Sequence, residues 1–235
     1  MLRRGFGVAF YWGETYREIR IDDFRFGIVD WALEQIFDLW LLNSELIKKH
    51  MNQEFENFSI RPIEQEDSEK YFQFIEKNRE RIARYFPRTL SRNQDVEASG
   101  LFIAELIALR EKKEFASFLI IDKISQQIIG TVFLKDFDWN VGKVEIGFFI
   151  DKDFVNKGII SKSVSFVIDY AFKELKLNKI FMRVSEDNLA SRRVAEKNNF
   201  EIEGKLRKDF KYFSFSDWFF SKLSIHKITY TKILN

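Results

Sequence analysis

The 235-residue chain contains no cysteine and only two histidines. Without cysteine there are no disulfides, no thiolate nucleophiles and no thiolate metal sites. His50 and His226 stand far apart in the chain, so neither a metal cluster with histidine spacing nor a Ser/His/Asp triad is easily built. An excess of one charge is also lacking, since 38 Lys and Arg against 36 Asp and Glu leave a formal net charge of +2. No Lys/Arg block is interleaved with aromatics, and no nucleic-acid partner is expected. The longest apolar run, Trp31 to Leu42, is interrupted by Glu34, Gln35 and Asp38 and is too short to cross a bilayer, so no membrane partner is expected either. Leu2-Arg3-Arg4 leads into Gly, Tyr and Trp rather than a small-residue apolar core, so no signal peptide is read and the expected location is cytoplasmic. Any chemistry must use carboxylates, hydroxyls, the backbone and a borrowed cofactor.

What is present is ordinary for a globular chain: 46% hydrophobic and 31% charged residues, with length for one good-sized domain plus an extension. The division is expected near His50-Met51, giving an N-terminal extension over 1–51 and a main domain over 52–235. Upstream, Phe6, Val8, Phe10 and Trp12 alternate with small or polar-faced neighbours until Gly13 breaks the run, which predicts a strand and a turn. Val29, Leu33, Ile36 and Trp40 recur at helical spacing, and Leu39, Leu42 and Leu46 widen the stripe. That stripe needs a partner, either the main domain or a second copy in a homodimer. A third reading makes Met51 the natural start and the upstream part a fusion or a mis-assigned start.

From Phe58 the order of elements is clearer. Phe58 to Arg61 reads as a strand stopped by Pro62; Asp67 is expected to cap a helix with Tyr71, Phe72 and Ile75 inward. Asn93 is expected to cap a second helix, with Val96, Gly100, Ile103 and Ile107 as its buried stripe. Three strands follow in close order, Phe115 to Asp122, Ile128 to Phe137 and Lys143 to Ile150, and their short turns predict antiparallel pairing. A long amphipathic helix through Ile160, Val164, Val167, Ile168, Ala171 and Leu175 leads to a strand at Lys179 to Val184. A strand, helix and strand of this length make a crossover, which sets the two strands parallel. Asn188 is expected to cap a helix running to Asn198, and the aromatic-rich runs Phe210 to Phe215 and Trp218 to Ile225 close the sheet.

The stretch between the crossover's first strand and its helix is the first candidate site. From Asn156 to Ser161 the leading N–H groups of a starting helix have no partners within it and lie at the positive end of its dipole. Gly158 permits close approach, Lys157 adds charge and Ser161 offers a hydroxyl, so an anion fits there; an ordinary turn glycine is the plain alternative. Neither G-x-G-x-x-G nor G-x-x-x-x-G-K-[ST] is present.

The runs V-E-I-G-F-F-I (144–150), V-N-K-G-I-I-S (155–161) and N-L-A-S-R-R-V-A-E-K-N-N-F-E-I-E-G (188–204) together resemble the acyl-CoA-binding half of the GNAT N-acetyltransferases. Within that superfamily they are most similar to the RimJ/RimL type, which acetylates protein N-terminal amines, notably of ribosomal proteins. The resemblance runs from about Phe58 to Ile228 and leaves out 1–51. It implies an α+β fold: a mixed, mostly antiparallel twisted sheet with flanking helices and one splayed parallel pair. It also implies acetyl-CoA as co-substrate, no metal, and an amine acceptor, a protein N-terminus before a small amine, with a non-catalytic CoA-binding or interaction module as the rival reading.

Carried over by position, the family's pyrophosphate loop falls on Val155, Asn156, Lys157, Gly158 and Ile159, with Ile160 and Ser161 opening the helix. Val155 and Asn156 depart from the family's usual Gln or Arg and Gly, but main-chain N–H groups do most of the binding, and Asn tolerates positive φ. The pantetheine arm is expected along the strand edge near Phe149 and Ile150. Glu145 is the candidate base, with a surface or hydrogen-bonding role as its alternative and a bound water as the other base. The family's frequent tyrosine is Ala195 here; Ser191, one turn after Asn188, matches the serine near the CoA sulfur, against a helical serine bonded to its own turn. Arg84, Phe86, Arg88 and Tyr212 are expected to border the acceptor.

Overall fold

The computed structural model describes residues 8–12, 15–19, 50–213 and 222–234. The chain forms two compact units, Met1–Lys49 and His50–Asn235. In the first, β1 (Val8–Trp12) and β2 (Thr15–Ile19) pair antiparallel from Val8↔Ile19 to Trp12↔Thr15. β1 matches the alternation read there; Gly13, the helix expected around Val29 to Leu46 and its dimer contact lie outside the described residues.

The second unit is built on an eight-stranded sheet. Its strands are β3 (Gln53–Glu54), β4 (Phe58–Pro62), β5 (Ala116–Asp122), β6 (Ile128–Asp138), β7 (Lys143–Ile150), β8 (Lys179–Ser185), β9 (Glu201–Phe213) and β10 (Lys222–Ile233). They lie in the order β3-β4-β5-β6-β7-β8-β10-β9. Every pair is antiparallel except β7 with β8. The helices are α1 (Ser68–Lys77), α2 (Arg79–Ala83), α3 (Pro87–Ser91), α4 (Val96–Glu111), α5 (Ile159–Lys173) and α6 (Leu189–Lys197).

Two apolar cores follow from the alternation of the strands. Val144 and Ile146 of β7 are buried with Val164, Val167 and Ala171 of α5 on one face. On the other face Phe149 is buried with Phe74 and Ile75 of α1 and Ile103 of α4. Glu145 and Gly147 share that second face with Phe149, and its charged and aromatic residues border the candidate site.

Four local expectations change. Asp95, not Asn93, caps α4, accepting from Ala98 N at 2.8 Å, while Asn93 Nδ2 donates to Thr89 O at 2.7 Å. A 3-10 turn, Gln65–Asp67, precedes α1, so the Asp67 carboxylate turns back to Glu64 N and to Arg61 instead of capping α1. Phe74 takes the inward place expected of Phe72, because it stacks on Phe149 at 5.1 Å. In α4 the buried set is Ser99, Phe102, Ile103 and Leu106, rotated away from Val96, so that Phe102 reaches the Tyr71 ring at 6.5 Å.

Candidate active site

The parallel pair is joined over a short length only. Its register is Lys143↔Lys179, Val144↔Ile180 and Glu145↔Phe181, and it ends there although β7 continues to Ile150 and β8 to Ser185. Each strand stays paired on its outer side, β7 to β6 and β8 to β10. The sheet therefore forks after Glu145. Asp151 N donates to Ile129 O at 2.8 Å, which fixes the parity of the β6–β7 ladder. Odd-numbered residues of β7 turn their main chain to β6, and Ile146, Phe148 and Ile150 turn theirs into the fork. The Ile150 carbonyl is already taken by Arg81 Nη1 at 2.8 Å. The last rung, Glu145↔Phe181, takes the Ile146 N–H, so the open edge is carried by the Ile146 carbonyl and the Phe148 main chain; of the expected pair, Phe149 turns its main chain to β6 and Ile150 turns its own into the fork.

The turn after β7 leads into α5. Asn156 has φ 62° and Gly158 φ 75°, so both positions flagged in the sequence adopt the left-handed region. A Cβ built at Gly158 meets nothing within 4 Å. The first turn of α5 closes with Lys162 N to Gly158 O at 3.1 Å, which leaves the N–H groups of Ile159, Ile160 and Ser161 ahead of the helical ladder. Val155 and Lys157 are exposed, and the Lys157 ammonium lies 4.7 Å from the Phe154 ring centre. The Ser161 hydroxyl accepts from Asn198 Nδ2 at 3.2 Å, tying the start of α5 to the end of α6. A narrow open strand edge beside a row of amides at a helix start fits a long thioester with a diphosphate.

The end of β7 is latched by residues that sequence reasoning missed. Buried Asp151 pairs with Lys77 at 2.8 Å and accepts from Asp153 N at 2.9 Å and Asn78 Nδ2 at 3.4 Å. Burial pushes its carboxyl up, but the Asp153 N–H, Lys77 and Asn78 outweigh it and hold the group below the usual carboxylate range. Lys77 also bonds Asp153 at 2.7 Å, and the two partners raise its ammonium above its ordinary value.

At the fork Glu145 is 5% exposed. Arg183 binds its Oε2 through Nε at 3.0 Å and through Nη2, and Lys135 Nζ lies 3.2 Å from the same oxygen. Among the described residues nothing bonds Oε1. Hydrogen bonding to Glu145 raises the Arg183 guanidinium above its ordinary value against the opposing effect of burial. Lys135 and Asp136 sit at a bulge, where the β6–β7 register shifts between Lys135 and Asp138, and Asp136 has φ 53°. Lys227 lies 3.7 Å from Asp209, and burial lowers its ammonium below its ordinary value.

On the other side of the fork, the Asn188 side chain caps α6 by accepting from Ser191 N at 3.1 Å. The Ser191 hydroxyl makes no bond to its own turn or to any other described residue. Ala195 is fully buried. Arg84 reaches Asp187 at 2.7 Å, and that carboxylate, also bonded by the Ser185 hydroxyl, is held below its usual range first by Ser185 and then by Arg84. Arg88 pairs with Glu105 of α4 at 3.2 Å. Phe86 packs on Phe149 and Phe133, at 5.1 and 5.9 Å between ring centres. The side chain of Tyr212 lies outside the described residues. Arg183 carried no readable signal in the sequence, because a cation alternating with apolar residues looks like a solvated strand face.

The acetyltransferase (GNAT) domain family matches residues 57–201. The chain is 36% identical over 155 residues to "Probable N-acetyltransferase YjcK" of Bacillus subtilis, covering 65% of this chain and 84% of that protein. Its fold is similar to that of the ribosomal-protein-S5-alanine acetyltransferase from Vibrio fischeri, with a TM-score of 0.70 at 23% identity over 77% of this chain and 96% of the other. It is also similar to RimL, a ribosomal L7/L12 α-N-protein acetyltransferase solved with coenzyme A, with a TM-score of 0.67 at 17% identity over 77% and 96%. No described helix is long and apolar enough to cross a membrane. By sequence match and by its forked mixed sheet, the chain belongs to the GNAT family of N-acetyltransferases.

Proposed function

We propose that the protein transfers an acetyl group from acetyl-CoA to a primary amine by direct attack, with a protein N-terminal α-amino group as the favoured acceptor. The observation that carries this is the fork, where two parallel strands part after three rungs and expose the Ile146 carbonyl and the Phe148 main chain. The thioester, when bound, supplies an activated acetyl group. The amides of the 156–161 turn hold the diphosphate, and a fork-facing N–H polarises the acetyl carbonyl without a metal. Val155, Lys157 and Ile159 contribute mainly backbone there.

Two proton movements remain, one off the ammonium before attack and one from the nitrogen of the tetrahedral intermediate onto the departing sulfur. Glu145 takes the first through Oε1, directly or through one water, since Oε2 is committed to Arg183 and Lys135. Ser191 relays the second, giving its hydroxyl proton to the sulfur as it takes up the one the nitrogen sheds; that hydroxyl is uncommitted and its backbone is fixed by Asn188. Phe86, Arg84 and Arg88 border the acceptor, with Tyr212 assigned by position. A polyamine would need a surplus of carboxylates. Here Glu145, Asp136 and Asp187 each face a cation, which supports an acceptor carrying one positive charge.

The test is thiol release from acetyl-CoA with a panel of peptides bearing free N-termini, set beside polyamines and amino sugars. A peptide-dependent rate that falls by about 10²-fold or more in Glu145→Gln and clearly in Ser191→Ala is expected. Binding of coenzyme A with no thiol release for any amine would sink the proposal.

A further inference from the structure

We propose that Arg183 is a positioning residue: it holds Glu145 by one oxygen across the fork and thereby sets which oxygen meets the amine. The inference rests on the acetyltransferase reading above. Arg183 lies two residues past Phe181, the last rung of the β7–β8 ladder, and on the same face as Glu145. Had the ladder continued, it would stand opposite Gly147. Instead its side chain reaches back over the gap to Glu145.

The way it binds matters. Arginine and a carboxylate commonly join as two forks, each oxygen taking one N–H. Such a pairing would occupy both oxygens and leave Glu145 little to offer. Here Nε and Nη2 converge on Oε2, and Lys135 lies on the same oxygen. The guanidinium is steadied from behind by Asp136, whose Oδ2 accepts from Nη2 at 3.1 Å and which stands in the β6 bulge. Lys227 of β10 and Asp209 of β9 complete the charges facing the cluster. A buried ion pair is weak support for a purely stabilising role, because desolvation offsets most of the attraction. Its placement at the mouth of the fork gives it another use. With the carboxylate pinned by Oε2, Oε1 points one way, and the amine finds a fixed acceptor.

The test is a double-mutant cycle of Arg183→Gln and Glu145→Gln, read by thiol release, with calorimetric binding of coenzyme A and thermal unfolding on each protein. Arg183→Gln is expected to lower kcat by up to about 10²-fold while KM for acetyl-CoA stays within about twofold, as for a misplaced catalytic group. Arg183→Lys, which keeps the charge but not the planar fork, should fall between the two and carries the cycle if Arg183→Gln does not fold. On the Glu145→Gln background the further loss should be under about threefold. Losses that simply multiply, or an unchanged kcat in Arg183→Gln, overturn the inference and leave the acetyltransferase reading intact. A parent protein that binds coenzyme A but releases no thiol with any amine overturns that reading, and the inference with it.

Discussion

Gly158 and Gly147 are both glycines for reasons of space, but the reasons differ. At Gly158 the backbone is left-handed and the region above it is open, so a methyl group costs about 1–2 kcal/mol of strain and points where an anion would approach. Gly158→Ala should therefore raise the Kd for coenzyme A about tenfold or more by calorimetry. At Gly147 a Cβ would lie 2.5 Å from the Phe133 ring, which is itself stacked on Phe115, so the clash cannot be relieved cheaply. Gly147→Ala should destabilise the fold by about 1–3 kcal/mol in urea unfolding. The first glycine was legible in the sequence because it opens a helix. The second was not, since only the register Phe133↔Gly147 brings the ring over it. The same holds for Arg183: its neighbours in sequence say nothing about a carboxylate 38 residues away.

Elements were legible where periodicity and short turns fixed them. β7 spans the expected residues, α5 starts one residue early, and Asn188 caps α6 as read. The rotation of α4 was not legible, because its apolar residues surround the helix and only packing against Tyr71 selects a face. Nor was the latch at the end of β7, which joins Lys77 and Asn78 to a carboxylate more than 70 residues on. That latch has a pH signature. Asp151 is held below its ordinary value in the folded protein, so its contribution is present above the unfolded carboxyl pKa of about 3.9 and is lost as pH falls through the lower folded value. Asp151→Asn should thus lower the Tm at neutral pH and flatten its fall below about pH 4, measured by calorimetric scans.

For the whole molecule, the second unit carries its own cores and draws on residues from Met51 onward, with Met51 itself 5% exposed in the larger of them. Residues 50–235 expressed alone are therefore expected to unfold in one cooperative transition; a broad, non-cooperative melt would show that the first unit is needed. The family resemblance, beginning near Phe58, was legible because two motifs lie in order along the crossover and a third follows directly after it. The proposed acceptor side was less so, since Arg84, Phe86 and Arg88 belong to the α2–α3 stretch, far in sequence from Glu145 and Ser191. Five strands lie on one side of the β7–β8 junction and three on the other, and three rungs sew them together. A seam so short resists little torque. A ligand that enters its open end is expected to strain those rungs first, while the core shared by the two half-sheets, Val144 and Ile146 with Ile180 and Met182, holds them together. Deuterium uptake at the amides of Lys179 to Phe181 would then report occupancy of the fork from its closed end.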